Sequence, residues 1–291
     1  MARYNLKNTQ ICICVDSFGA ELKSLKKIET DTEYMWDAKP EYWKRTSPVL
    51  FPIVGSLNQG VFRYGQKEYS MSQHGFARDM EFEFLEQTED ALKFVLSANE
   101  ETKTKYPFDF VLELGYRLDE NHLVVSWKVK NRDSKEMYFS IGGHPAFLCP
   151  LDNKGIQTDY KLSFDTDDKI TAAIIGNGGT LSERTKEYPL NHGMMDITAD
   201  LFDMDALIIE NNQAHKVSLC NPEGQPYLTV SFDAPLFGLW SPTKKNAPFV
   251  CIEPWYGRCD RETFTGDLSE REWGNTLAPG EEFYAEYTIT V

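Results

Sequence analysis

Three short segments carry side chains able to move protons. His74 lies in Gln73-His74-Gly75-Phe76-Ala77-Arg78, and His144 in Gly142-Gly143-His144-Pro145-Ala146-Phe147. Each sets an imidazole beside glycine, which lets a ligand come close to the backbone, and beside an aromatic ring, which can stack on the apolar face of a sugar. The third is Val250-Cys251-Ile252-Glu253-Pro254-Trp255-Tyr256-Gly257, an apolar strand ending in a carboxylate, a proline and two aromatics. A carboxyl group in that company is expected to be partly buried and to hold its proton above the ordinary value. An imidazole and a tuned carboxylate make an acid and a base that work near neutral pH. Singly, each histidine is equally compatible with a hydrogen-bonded place in a packed loop; for Glu253 the alternative is a strand end facing water, which its apolar approach and aromatic neighbours disfavour.

Other side chains are candidates for holding a ligand. The segment Trp43 to Gly55 places Arg45 ahead of an apolar run bracketed by Pro48 and Pro52, so no regular helix forms there. Arg45 is open to two readings, a reach into a pocket or a structural ion pair. Arg78 can brace the His74 loop or face a ligand. Asp205, just before the apolar run Ala206-Leu207-Ile208, is either a turn carboxylate or an acceptor for a sugar hydroxyl. Among the aromatics Trp255 is expected to bind, whereas Trp36 and Phe76 read more readily as core. His122, His192 and His215 lie in polar surroundings and read as surface residues.

The elements that must position these groups are strands. Period-two alternation recurs in Glu81 to Leu85, Leu92 to Leu96, Leu123 to Val129, Lys161 to Phe164, Tyr227 to Phe232 and Phe283 to Ile289. In the third, Leu123, Val125, Trp127 and Val129 share one face, the pattern of a half-buried antiparallel strand. Helical signal is confined to Ser97 to Lys105, where Ser97 and Asn99 can cap a turn or two before Pro107. Turn chemistry is abundant, as in Gly176-Asn177-Gly178-Gly179 and Pro222-Glu223-Gly224. Many short strands without βα alternation predict an all-β chain of large antiparallel sheets with few short helices. No linker or repeat interrupts it, so one domain over 1–291 is expected.

Composition bounds the partners. A net charge of −15 disfavours an electrostatic grip on nucleic acid or an anionic membrane, leaving a small molecule as the expected partner. No apolar run is long enough to span a bilayer, and no apolar signal segment opens the chain, so a cytoplasmic location with reduced thiols is expected. The six cysteines are scattered, without the spacing of a structural zinc site. Cys12 and Cys14 would share one face of a strand and are expected to pack in the core.

The ordered motifs His-Gly-Phe-Ala-Arg, Gly-Gly-His-Pro-Ala-Phe and Ile-Glu-Pro-Trp together resemble the aldose 1-epimerase superfamily, and within it the LacX-like branch. The resemblance runs from the early strands to Pro279-Gly280 and the final Tyr287-Thr288-Ile289. It implies a galactose mutarotase-like β-supersandwich with a sugar lying in an open cleft across one sheet. It also implies roles: His144 as general acid, Glu253 as general base, His74 as a hydrogen-bond partner near the ring oxygen, and Asp205 as the sugar-binding aspartate. The chain departs from true galactose mutarotases at Gly55-Ser56-Leu57, where they carry an Asn-Arg pair. Arg45 or Arg78 would then supply the cation, as in relatives that act on hexose 6-phosphates.

The chemistry so implied needs no metal or redox cofactor. Exchanging α and β anomers requires taking the proton from O1 and protonating the ring oxygen O5, rotating about C1–C2, and closing again. One base and one acid suffice. A free aldohexose is the expected substrate, with a hexose 6-phosphate as the alternative and a homodimer left open. A non-catalytic carbohydrate-binding protein would not need His144 and Glu253 to converge, and a glycoside hydrolase would want a second prominent carboxylate.

Overall fold

The computed structural model describes residues 2–291. Two large antiparallel sheets dominate it. The nine-stranded sheet runs, in spatial order, Met194–Asp196, Lys161–Phe164, Lys216–Cys220, Pro226–Phe232, Glu282–Thr290, His122–Asn131, Phe110–Asp119, Ala91–Ser97 and Glu83–Gln87. The eight-stranded sheet runs Leu181–Pro189, Lys169–Ile175, Leu207–Ile209, Leu236–Trp240, Phe249–Tyr256, Ile141–Gly143 and Val49–Leu50, with Ala146–Leu148 also paired to Phe249–Tyr256. A four-stranded N-terminal sheet and two short hairpins complete the β structure. This is the all-β chain of large antiparallel sheets with few short helices that the alternating pattern predicts.

Alternation decides what faces what. Leu123, Val125, Trp127 and Val129 are buried as expected, each opposite an apolar residue on one or both neighbours, for instance Trp127 against Leu114 and Ala285. They join one apolar cluster with Leu207, Ile209, Phe237, Leu239, Val250 and Ile252 of the other sheet. At about 1.5–3 kcal/mol for each large apolar side chain taken from water, this shared layer holds the sheets face to face. The opposite face of the eight-stranded sheet carries Ile208, Leu236, Cys251 and Trp255, which fall into separate clusters. Both faces of its central strand are buried, hence its unbroken apolar run.

Three local expectations are corrected. Cys12 and Cys14 do share a face, but it is the outer one; Ile11, Ile13 and Val15 take the core side of Ile11–Asp16, and both cysteines stay partly exposed. The helix is Glu100–Lys105, capped by Asn99, whose Oδ1 accepts the Thr102 amide at 2.9 Å; Ser97 instead ends the strand Ala91–Ser97. The strand expected at Glu81 begins at Glu83, because Phe82 turns into the core and donates its amide to the Ser17 carbonyl.

Candidate active site

A cavity of about 370 Å³ opens on the outer face of the eight-stranded sheet, and His74, His144, Glu253, Arg45, Arg78, Asp205 and Trp255 all line it. The strand Phe249–Tyr256 supplies its floor. Cys251, Glu253 and Trp255 alternate with the core residues Val250 and Ile252, so they point to the cavity side. Glu253 stands opposite Gly238, and Trp255 opposite Gly142 on the other neighbour. A Cβ on either glycine would come within 2.5 Å of the Trp255 ring. These glycines let the indole lie against the sheet.

His144 sits on the link between Ile141–Gly143 and Ala146–Leu148, its amide donating to the Pro48 carbonyl at 3.1 Å. Its ring is stacked on Trp43, with centroids 4.6 Å apart, and meets Trp240 edge-on at 5.5 Å. That packing points Nε2 at Glu253 Oε2, 3.4 Å away. Burial pulls His144 down to about 3 and pushes Glu253 well above the ordinary carboxylate value, an effect the charge of Asp205 reinforces. Both shifts favour the neutral forms, so the pair as a unit holds one proton.

His74 approaches from the opposite wall, its ring edge-on to His144 at 5.5 Å. The Gly55 amide donates to His74 Nδ1 at 3.1 Å. Nδ1 is therefore the acceptor and Nε2 carries the hydrogen, a neutral tautomer that burial also favours by lowering its pKa. Gly55 has φ +73°, and a Cβ there would meet Cys259 at 2.6 Å, so the departure from an Asn-Arg pair nearby leaves a tight loop carrying a backbone donor. The loop is clamped from behind: the Asp260 amide donates to the Ser56 carbonyl, and Asp260 Oδ2 accepts the Asn58 amide, both at 2.9 Å. Asp260 in turn accepts from Arg271 Nε at 2.7 Å.

The two arginines combine the readings left open for them. Arg45 faces the cavity and pairs with Asp79 at 2.8 Å. Arg78 faces it too, while Nη2 donates to the Gln73 carbonyl and braces the His74 loop. Its Nε is buried without a hydrogen-bond partner, 3.8 Å from Asp79 Oδ2, and burial lowers its pKa to about 10. Asp205 sits exposed at the rim with φ +71°, its Oδ1 accepting the Ala206 amide at 2.9 Å. Trp36 and Phe76 are core residues.

Sequence reasoning missed Trp43 and Trp240, which pack the His144 ring. Trp43 was visible two residues before Arg45 in the same Pro-bracketed segment, and Trp240 as an aromatic ending a strand before Ser-Pro. It also missed a cluster that spacing hides. Ligand atoms of His144, Cys251 and Glu253 lie within 4.8 Å of one another.

The aldose 1-epimerase family model matches residues 2–290. The chain is 30% identical over 295 residues to a LacX protein of Lactococcus lactis subsp. lactis, covering 98% of each. Among solved structures it resembles a galactose mutarotase-related enzyme from Lactobacillus acidophilus, with TM-score 0.93 and 37% identity over 99% of this chain and 97% of that one. A galactose mutarotase-like protein from Lactobacillus casei matches with TM-score 0.92 and 31% identity over 99% of each chain. Matches of this length and quality leave no stretch of the chain outside the relationship: it belongs to the aldose 1-epimerase family and is a sugar epimerase, an isomerase.

Proposed function

We propose that the enzyme interconverts the α and β anomers of a free aldohexose by acid–base ring opening. The observation that carries this reading is the buried pair His144 Nε2 and Glu253 Oε2, 3.4 Å apart on the floor of a sugar-sized cavity. Ring opening moves one proton from O1 to O5 in net terms. Glu253 as carboxylate takes the O1 proton and His144 as imidazolium gives one to O5; closure on the other face of C1 reverses both steps. The charged form of the pair has the same proton count as the neutral form. One transfer between Oε2 and Nε2 therefore prepares it without exchange with solvent, and a sugar hydroxyl donating to Glu253 favours it. The open-chain state leaves the pair neutral, the form that the dry site favours.

His74, held as the Nε2–H tautomer by Gly55, serves as a donor near O5. Asp205 at the rim accepts a sugar hydroxyl, and Trp255 packs against the ring. Polarimetry or saturation-transfer NMR of α-glucose and α-galactose tests the proposal. Accelerated equilibration that disappears in His144→Asn supports it, and no acceleration of either sugar counts against it. Two guanidinium groups face the cavity, with Asp79 beside both, and this favours one second reading, a hexose 6-phosphate. The same assay with glucose 6-phosphate separates the two: preference for the phosphate, lost in Arg78→Gln, would replace the free sugar.

A further inference from the structure

Beneath the acid–base pair lies a thiol that proton exchange with a sugar does not use. Cys251 is free, fully buried, and two residues from Glu253 on the same strand face. Its Sγ, a ring nitrogen of His144 and a carboxylate oxygen of Glu253 lie within 4.8 Å of one another. Glu253 Oε2, although buried, receives no hydrogen bond. The cavity above gives access, since His144 and Glu253 both line it.

An imidazole nitrogen, a thiolate and a carboxylate oxygen form the mixed donor set that borderline-soft divalent ions select, at bond lengths of about 2.0–2.3 Å. Donors around such a tetrahedral ion stand roughly 3.3–3.8 Å apart by that geometry. The His144–Glu253 separation of 3.4 Å already meets it. The fourth position would face the cavity, open to water. Hard ions such as Mg²⁺ take oxygen ligands and find one carboxylate here.

We propose that His144, Cys251 and Glu253 form a binding site for a divalent cation of the Zn²⁺ class, and that the ion switches catalysis off by occupying the lone pairs that ring opening needs. The binding stands on geometry alone, whereas the inhibition rests on the acid–base reading above. Occupation releases two protons to solvent, one from the thiol and one from the His144–Glu253 pair, so binding tightens as pH rises. Zn²⁺ and sugar exclude each other.

The test titrates Zn²⁺, Co²⁺ and Mg²⁺ into chelator-treated protein by calorimetry and, for Co²⁺, by absorption, alongside anomerisation assays. The variants are Cys251→Ser, Cys251→Ala and His144→Asn, with Cys12→Ser as a control for the partly exposed thiols. The expected result is one Zn²⁺ or Co²⁺ per chain, a thiolate-to-cobalt charge-transfer band, no Mg²⁺ binding, and chelator-reversible inhibition. Both Cys251 variants should lose the band and weaken binding by at least about tenfold while keeping turnover, whereas Cys12→Ser should change neither. Equal binding in wild type and both Cys251 variants, or none at millimolar Zn²⁺, overturns the site. Binding through Cys251 that leaves anomerisation untouched overturns the switch. Binding through Cys251 in a protein that anomerises no sugar upholds the site and sinks the acid–base reading instead.

Discussion

Two buried polar clusters adjoin the strand Phe249–Tyr256, and they follow opposite rules. Just past its end, Arg271 donates to Asp260 and to the Arg258 carbonyl, and Arg258 donates to Glu210 and to the Cys259 carbonyl, all at 2.7–2.8 Å. Trp273 Nε1 also reaches Glu210, at 2.8 Å. On the cavity side the reverse holds. Among the described residues, the buried side-chain atoms without a hydrogen-bond partner are Thr46 Oγ1, Arg78 Nε, His144 Nδ1, Glu253 Oε2 and Trp255 Nε1, and all but the first belong to residues lining the cavity. Each such atom costs about 1–3 kcal/mol. Burial of charge alone thus does not mark a site. What separates structure from chemistry here is whether the buried groups have spent their hydrogen bonds.

The contrast is sharpest at Glu253. Glu253→Gln should lower turnover by about 10²–10⁴-fold while leaving the circular dichroism spectrum intact, because it removes a proton carrier and keeps the side chain's shape. Retention of more than about a tenth of wild-type kcat in polarimetry would break the assignment. Asp260→Ala should do the converse, costing about 3–5 kcal/mol of stability in urea unfolding by leaving Arg271 buried without its carboxylate. A cost below about 1 kcal/mol would show that the paired cluster is not structural after all.

Titration divides the same two regions. The folded Glu253 carboxyl holds its proton to higher pH than the unfolded chain does, so wild type loses stability as pH rises above about 4.5. Glu253→Gln removes that loss: its Tm should match wild type near pH 4 and exceed it as pH rises above about 4.5. For His144 the sign reverses. Its folded pKa of about 3 lies below the ordinary 6.5, so wild type loses stability as pH falls through that window, and His144→Asn should recover part of it. A Tm difference that is flat with pH in calorimetry would contradict both shifts. The smallest expected effect belongs to Trp43→Ala. Losing a stacked ring worth about 0.5–1.5 kcal/mol should lower kcat/KM roughly two- to tenfold by letting the His144 ring tilt. An unchanged kcat/KM would remove Trp43 from the account.

Much of this was legible in the sequence because period-two patterning survives wherever one sheet face meets the core, as in Leu123 to Val129. Glu253 was legible for a related reason, as a carboxylate inside an apolar run. Cys12 and Cys14 misled because alternation fixes that two residues share a face but not which face turns inward; the adjacent isoleucines decided it. Trp43 and Trp240 were illegible as partners of His144, since they arrive from a loop and a strand distant in sequence. The His144, Cys251 and Glu253 cluster was hidden likewise: it depends on the pairing of Ala146 with Cys251, a register that residue spacing does not state.

The eight-stranded sheet ends on Leu181–Pro189, where Glu183, Arg184, Thr185, Lys186 and Glu187 are all exposed. A sheet edge is an adhesive surface, ready to extend itself with another chain's backbone. Leu181 is already paired with Arg261, and beyond it the edge is studded with charges of both signs and ends on a proline, which makes it a poor template for edge-to-edge aggregation. The sheet that carries the open cleft is thereby kept from recruiting a neighbour's backbone along this strand.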